Sequence, residues 1–294
     1  MKKLVITGSS GRIGRALHRQ LSPEFDLVGL DISPSSTTHR ITDIRNYDQV
    51  LKDLEGVEAI FHSAAFHAPH VGLVSEKDFY EVNVEATETI CRAALKLGIS
   101  EIIFTSTTAL YGYANQGEGE AVWINEKTTP LPKTIYHQTK LEAEKVLKSY
   151  SCERLKVSVI RMSRCFPEPA EMMAVYRLHR GVDYRDVAEA HVLAWKQKKV
   201  QNFDLFVVSG STPFLPEDVK ALYSHPKEII WKRAPELAAQ LEKRGWGFPS
   251  SIDRVYDSSY AQKTLDWKPK RGFMDVFDQF DREELEVLPP SRMK

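Results

Sequence analysis

The 294-residue chain has only three cysteines, no excess of charge of either sign and no long apolar run. Cys91, Cys152 and Cys165 are widely spaced and odd in number, which excludes a disulfide framework and a CxxC metal or redox site. That usage fits a reducing compartment, and a cytoplasmic location is expected. Lysine plus arginine equals aspartate plus glutamate at 40 each, so no net field draws the chain to nucleic acid or to an anionic membrane surface. No stretch approaches the roughly 20 apolar residues that span a bilayer. After Met1-Lys2-Lys3 the apolar run is three residues long before it meets a glycine turn, so no signal peptide is expected. Solenoid-period repeats and low-complexity linkers are absent too, although residues 33–38 read as an exposed loop. What remains is a chain able to bury a full core in one large or two modest domains, suited to a small polar or nucleotide ligand.

Residues 4–16, LVITGSSGRIGRA, place Gly8, Gly11 and Gly14 between a short apolar strand and a helix. Glycine is needed where a turn is tight, where backbone approaches a ligand and where a helix lies close on its strand. The N–H groups and positive dipole end of such a helix suit a pyrophosphate, so the stretch reads as a phosphate seat. A helix start with incidental glycines would carry the same triplet, and the second strand is the check. Asp31 stands at the end of the apolar run 25–30, 17 residues past Gly14. A carboxylate there accepts from both ribose hydroxyls of an adenosine and repels a 2′-phosphate, which favours NAD. Arg12, Arg40 and Arg45 keep NADP open as an alternative.

Short apolar strands at 4–6, 27–30, 59–62, 102–105 and 157–160 alternate with amphipathic helices from 12 and over 47–54, 77–97 and 135–150. Such alternation predicts an α/β protein with a doubly wound parallel sheet, whose ligand lies beyond the carboxyl ends of the strands. Past Arg161, prolines and tryptophans intersperse shorter helices and indicate a smaller lobe. The expected division is a dinucleotide-binding domain over 1–165 and a mainly substrate-binding lobe over 166–294, with a strand at 203–208 returning to the main sheet.

YHQTK sets Tyr136 and Lys140 four apart, on one face of a helix. A lysine ammonium beside a phenol favours phenolate, so this tyrosine can move a proton nearer neutral pH than a free phenol at about 10. Upstream, FTSTTALYG ends a strand on the ligand edge, and Ser106, Thr107 or Thr108 could bond a substrate oxygen there. Turn chemistry at a strand end also favours these residues. FHSAAFHAPH holds His62, His67 and His70 without a fixed spacing on one helix face; a loop lining the cleft is expected rather than a metal site, with His67 or His70 touching substrate.

Taken in order, TGSSGRIG, Asp31, Asp43-Ile44, HSAA at 62–65, Asn83, TSTTALYG and YHQTK resemble the extended short-chain dehydrogenase/reductases of the NAD-dependent epimerase/dehydratase group, over roughly residues 1–165. The resemblance implies a Rossmann-type sheet and hydride transfer between a nicotinamide and a carbinol or carbonyl carbon. It gives Thr107 the catalytic hydroxyl, Tyr136 the general acid/base role, and Lys140 the nicotinamide ribose and the lowering of the tyrosine's pKa. Gly8, Gly11, Arg12, Ile13 and Gly14 would form the pyrophosphate turn, Asp31 would take the adenosine ribose, Asp43 and Ile44 the adenine, and Ala64 the cofactor edge. The helices at 77–97 and 135–150 occupy positions through which members pair, so a homodimer is implied.

Members share the oxidation step and differ in the chemistry after it. Nucleotide-sugar epimerases carry a long nucleotide-binding segment after the strand that ends near Arg161, whereas here Asp186 follows Arg161 by only 25 positions. RMSRCFPEP (161–169) is similar instead to the corresponding run of uronate dehydrogenases, which act on free sugar acids. Their carboxylate-binding arginine is replaced by Met172-Met173, and Arg164 or Arg177 could substitute. The tail at 252–273 is similar to nucleotide-sugar epimerases, with Arg254 as the diphosphate candidate. Three readings are open: a dehydrogenase or reductase of a small sugar or similar hydroxylated compound, a nucleotide-sugar 4-epimerase or dehydratase with tightly held NAD, and a non-enzymatic dinucleotide-binding sensor. The Thr107, Tyr136 and Lys140 set favours an enzyme, with Thr108 and His67 as further substrate contacts.

Overall fold

Apolar segments with little alternation are what strands buried on both faces require. In the computed structural model, which describes residues 2–114, 119–197 and 201–290, they form a seven-stranded parallel sheet. The strands in chain order are β1 (Lys3–Thr7), β2 (Asp26–Asp31), β3 (Arg40–Ile41), β4 (Ala59–His62), β5 (Glu101–Thr107), β6 (Val122–Ile124), β7 (Lys156–Met162), β8 (Glu168–Pro169), β9 (Phe203–Val208), β10 (Arg254–Tyr256) and β11 (Val287–Leu288). The main sheet runs β3-β2-β1-β4-β5-β7-β9, so β9 does return to it; β6 pairs with β10, and β8 with β11. The order reverses between β1 and β4, whose register sets Thr7 beside His62. A ligand crevice opens beyond the carboxyl ends of strands at such a reversal.

The helices are α1 (Arg12–Leu21), α2 (Tyr47–Asp53), α3 (Glu76–Tyr80), α4 (Ala86–Leu97), α5 (Ile135–Tyr150), α6 (Ala170–His179), α7 (Tyr184–Lys196), α8 (Val219–Ser224), α9 (Pro226–Arg233), α10 (Pro235–Lys243), α11 (Ser259–Leu265) and α12 (Phe273–Asp281). In α1 the buried Ile13, Ala16, Leu17 and Leu21 recur at helical spacing, which gives it one apolar face. Thr134 caps α5 by accepting from the His137 amide. No helix among the described residues is long and apolar enough to cross a membrane.

Two compact units interleave along the chain: Met1–Gly112, Pro130–Arg161 and Val187–Phe206 form the first, and Tyr113–Thr129, Met162–Asp186 and Val207–Lys294 the second. Val5, Ile60, Ile102, Phe104 and Val159 from the strands pack with Ile90, Ala94, Ala143 and Leu147 from α4 and α5 in the first core. In the second, Met173, Leu178, Leu222, Ile230, Leu237, Val255 and Phe277 pack together. Its prolines start helices: Pro226 and Pro235 open α9 and α10, where a missing N–H is harmless.

Two elements differ from the sequence reading. The single helix expected over 77–97 is broken by a π turn at Glu81–Glu85 between α3 and α4, and the extra residue buries Asn83. The strand expected over 102–105 continues to Thr107, so Ser106 and Thr107 belong to β5 and alternate in direction.

Gly29 of β2 is a position the motifs did not single out. A Cβ there would lie 1.9 Å from the Thr37 carbonyl oxygen, because the chain between β2 and β3 crosses directly over it. Gly29→Ala is expected to destabilise the protein by about 3 kcal/mol through displaced backbone, read as a lower urea midpoint; an unchanged midpoint would contradict this crossing.

Candidate active site

The turn after β1 is shaped by close backbone contacts. Gly8 has φ +70°, and a Cβ on it would sit 2.6 Å from the Ala64 amide nitrogen, while one on Gly14 would sit 2.2 Å from the Gly8 carbonyl oxygen. Gly8 and Ser9 both donate to the Leu30 carbonyl, at 2.9 and 3.3 Å, and Gly11 donates to Gly8 at 3.1 Å. Gly11 is also the residue before α1, and among the described residues no side chain caps that helix start. The first turn, with Arg12, Ile13 and Gly14, thus directs helix N–H groups and a positive dipole end at one place. Asp31 closes the seat from β2: its carboxylate accepts from the Ser10 amide and from the Ser33 amide, each at 2.9 Å. The structure therefore brings Gly8, Gly11, Gly14, Asp31 and Ala64 together, in a cradle whose tight spots only glycine fills. These residues fit a dinucleotide.

Asp43 and Ile44 follow β3. Asp43 is gripped by the Arg45 guanidinium, with Nη2 at 2.7 Å, and that hydrogen bonding holds its carboxyl below the usual range. Arg45 also reaches Glu81 in the π turn, at 3.3 Å. Ile44 is buried in the first core, so its side chain packs inward.

The strand end of β5 sorts its three hydroxyls by direction. Thr105 Oγ1 lies 2.8 Å from His191 Nε2, Ser106 donates to the Glu144 carboxylate, and Thr107 Oγ1 accepts from the Ala109 amide at 3.0 Å. Ser106 is thereby removed from the candidates for a substrate hydroxyl, because its side chain is spent on a buried carboxylate on the other face of the strand. Thr107 and the buried Thr108 remain.

Tyr136 sits in the first turn of α5 and Lys140 one turn on, both buried. The Lys140 ammonium donates to the Thr105 carbonyl at 2.7 Å and lies 3.8 Å from the Phe104 ring centroid. Burial pushes it down to about 7, against the opposing pull of Glu144. Glu144, one further turn along, accepts from Arg161 Nε and Nη2 at 3.0 and 2.6 Å, and Arg161 Nη1 donates to the Tyr111 hydroxyl at 2.8 Å. Sequence reasoning missed Glu144 and Arg161. The four-residue spacing Tyr136, Lys140, Glu144 was the available signal for the first of them.

The histidines separate. His62 is not in a loop: it is the last residue of β4 and wholly buried. His67 and His70 do lie beyond the strand, in the turn around Ala68–His70, where the His67 amide donates to His70 Nδ1 at 3.0 Å. Burial, with His70 and Lys140 nearby, lowers the His67 pKa. Among the described residues no group of three histidine, cysteine or acidic side chains is arranged to hold a metal ion.

With this geometry in hand, comparison with known proteins is decisive for family. Residues 4–172, more than half of the chain, match the NAD dependent epimerase/dehydratase family. The chain belongs to that family. It is 30% identical over 150 residues, 50% of this chain and 43% of the relative, to the N-acetyl-alpha-D-glucosaminyl-diphospho-ditrans,octacis-undecaprenol 4-epimerase of Escherichia coli O157:H7. It is 27% identical over 179 residues, 57% of this chain and 61% of the relative, to the uronate dehydrogenase of Pseudomonas syringae pv. tomato. The chain spans less than two thirds of the length of the curated relatives it matches. In fold it is similar to a short-chain dehydrogenase/reductase superfamily protein from Agrobacterium tumefaciens solved with bound NAD, with a TM-score of 0.71 at 17% identity, covering 96% of this chain and 98% of that one.

The second unit holds this family member's other candidates. Arg164 pairs with Glu168, and its amide donates to the Arg180 carbonyl at 3.0 Å. Arg180 and Arg254 both reach Asp253, at 3.3 and 2.7 Å, and Arg180 also lies over the Tyr176 ring. Arg177 is buried against Asp183 at 3.1 Å and donates to the Arg271 carbonyl. It is a structural arginine, which leaves Arg164 and Arg254, joined by Arg180.

Lys140 gives a prediction of stability as well as function. Between about 7 and the ordinary lysine value of 10.5 the unfolded chain holds a proton that the folded protein has released, so folding strengthens as pH rises through that window. Below it the buried ammonium is a constant burden. Lys140→Met is expected to stabilise the cofactor-free protein at pH 7 by on the order of 2 kcal/mol, with an advantage that shrinks towards pH 10. Denaturation of both forms across that range checks it; an advantage that grew with pH would contradict burial as the cause.

Proposed function

We propose that the protein is an NAD-dependent oxidoreductase that moves a hydride between the nicotinamide and a carbinol or carbonyl carbon of a small sugar or similar hydroxylated substrate. The observation that carries this reading is the convergence at one sheet edge of the glycine cradle, the Asp31 carboxylate and a tyrosine–lysine pair whose lysine is buried against the end of β5. When bound, NAD supplies the hydride acceptor. Gly8, Gly11, Arg12, Ile13 and Gly14 would hold its pyrophosphate, Asp31 the adenosine ribose, Asp43 with Ile44 the adenine side, and Ala64 the edge beside the glycine turn.

The chain's own residues would handle the proton. Tyr136 would accept it from the substrate hydroxyl as the carbon loses its hydride, and Thr107 would donate to the same oxygen. Lys140, titrating near neutrality, would favour the phenolate and hold the nicotinamide ribose. Thr108 and His67 are the nearest further candidates for substrate. Thr107 Oγ1 already accepts one hydrogen bond, so its own proton points elsewhere and is the one this role needs.

Small substrates are favoured by the segment between β7 and α7. It is taken up by β8 and α6, whose Met173, Ala174 and Leu178 fill the second core, so little chain is left there for a nucleotide-binding insert. Arg180 and Arg254 both lie at the Asp253 carboxylate, and guanidinium groups of this kind suit an anionic substituent such as a sugar carboxylate. The uronate dehydrogenase likeness points the same way. We extend the reading to a cytoplasmic homodimer paired through α4 and α5, the helices through which members of the family pair.

The test is NADH absorbance with purified protein, NAD and a panel of free aldoses, uronic acids and UDP-sugars, with product analysis of each mixture. Net NADH from a free sugar or sugar acid is expected; interconversion of UDP-sugars without NADH would replace this reading with a 4-epimerase. Tyr136→Phe should lower turnover by about 10³-fold with the Kd for NAD within about twofold of the unaltered protein, and equal activity would remove Tyr136 from its role. Asp31→Ala should weaken NAD more than NADP in calorimetric titrations, and equal loss of both would show that Asp31 serves the turn rather than the ribose.

A further inference from the structure

Behind the cofactor cradle runs a chain of buried hydrogen bonds that none of the roles above uses. The Ala64 amide donates to Thr7 Oγ1 at 3.3 Å, and Thr7 Oγ1 lies 2.7 Å from His62 Nδ1. On the far side His62 Nε2 lies 3.0 Å from Thr87 Oγ1, which donates to the Asn83 carbonyl at 2.7 Å. The Asn83 side chain accepts from the Phe66 amide at 2.8 Å and donates to the Phe66 carbonyl and to Thr139 Oγ1, each at 3.0 Å. Thr139 passes its hydrogen back to the Ile135 and Tyr136 carbonyls, at 2.9 and 3.2 Å. The path therefore starts at the residue packed on Gly8 and ends in the turn of α5 between Tyr136 and Lys140.

The protons in this chain can be assigned. Two oxygens 2.7 Å apart need a hydrogen between them, and a carbonyl has none, so the Thr87 hydroxyl proton is committed to Asn83. His62 Nε2 must then be the donor to Thr87, which makes Nδ1 the acceptor of the Thr7 hydroxyl. Burial, with the Lys140 charge nearby, pushes His62 down to about 3, in keeping with one neutral tautomer. The Phe104 ring, 5.3 Å from the His62 ring and 3.8 Å from the Lys140 ammonium, separates the two groups.

We propose that His62 is a positioning residue for the hydride site: as the Nε2–H tautomer, its Thr7 arm sets the glycine turn and the Ala64 edge, and its Thr87 arm sets the π turn and α5. The proposal rests on the preceding reading of those two places as cofactor seat and proton-handling helix. The arms are separable by substitution. Asparagine mimics the Nδ1 side of histidine and keeps the Thr7 partner, whereas glutamine mimics the Nε2 side and keeps the Thr87 partner.

Side-chain ¹⁵N–¹H NMR of the unaltered protein should find His62 protonated at Nε2 and unprotonated at Nδ1. Calorimetry with NAD should give a Kd raised about tenfold in His62→Gln and within about twofold of the unaltered value in His62→Asn. With a panel compound that is turned over, kcat at saturating NAD should fall in the opposite order, about tenfold in His62→Asn and less in His62→Gln. A purely structural histidine would lower the thermal midpoint of both variants and move neither constant per folded molecule. Failure of the unaltered protein to bind NAD would count against the preceding reading. Intact NAD binding together with an Nδ1–H tautomer, or with the two variants indistinguishable in Kd and kcat, would overturn this one.

Discussion

The Lys140 ammonium, held 2.7 Å from the Thr105 carbonyl beneath the edge of the sheet, is the group around which the first unit is arranged, because a charge taken out of water must have its partners fixed in advance. A flexible α5 would let the lysine swing to solvent and regain its hydration. What stops it is one turn further along the helix: Glu144 is clasped through both oxygens by Arg161, which comes from β7 and is itself bound to Tyr111. Glu144 pulls the lysine's pKa upward, but burial outweighs it. Its carboxylate is itself held by the planar Arg161 guanidinium at both oxygens.

The arrangement divides one helix face between two tasks. Tyr136 and Lys140 lie near the start of α5, at the sheet's carboxyl edge, and Ala143, Glu144 and Leu147 lie further along, with Ala143 and Leu147 in the first core. Activity and stability should therefore respond in opposite directions at Lys140 and in the same direction at Glu144, where removing one partner strands a buried guanidinium.

Much of this is legible in the amino-acid sequence alone. The strands at 59–62 and 203–208 and the helix at 135–150 stand where periodicity puts them, because each is a strongly patterned segment bounded by turn residues. The seat at Gly8, Gly11 and Gly14 is visible because close approach at Gly8 and Gly14 leaves no space for a side chain. Gly29 is not, since the backbone that crosses it comes from a loop with no pattern of its own. The π turn at Glu81–Glu85 escapes for a related reason: one extra residue shifts the phase of a helix without changing its composition. His62 reads with His67 and His70 because the three are close in sequence. In the fold one lies within the sheet and two lie beyond it, and spacing along a chain says nothing of that difference.

The buried hydroxyl chain is the least legible part, since Thr7, Thr87 and Thr139 are ordinary residues far apart in the sequence. Its information lies in direction rather than in identity. A hydrogen-bonded chain that includes a neutral imidazole has two possible senses, and here one end chooses: the Asn83 carbonyl can only accept, whereas the Thr7 oxygen can take the Ala64 amide hydrogen in either sense. Reversing the chain would turn the Thr87 hydroxyl to His62 and leave the Asn83 carbonyl without that proton. Protonating His62 would make Nδ1 a donor and take from the Thr7 hydroxyl proton its imidazole acceptor, which is a second reason, beside burial, for the imidazole to stay neutral. The polarity of one backbone carbonyl thus selects the tautomer of the imidazole, and through it couples the residue packed on Gly8 to the helix that carries Tyr136 and Lys140.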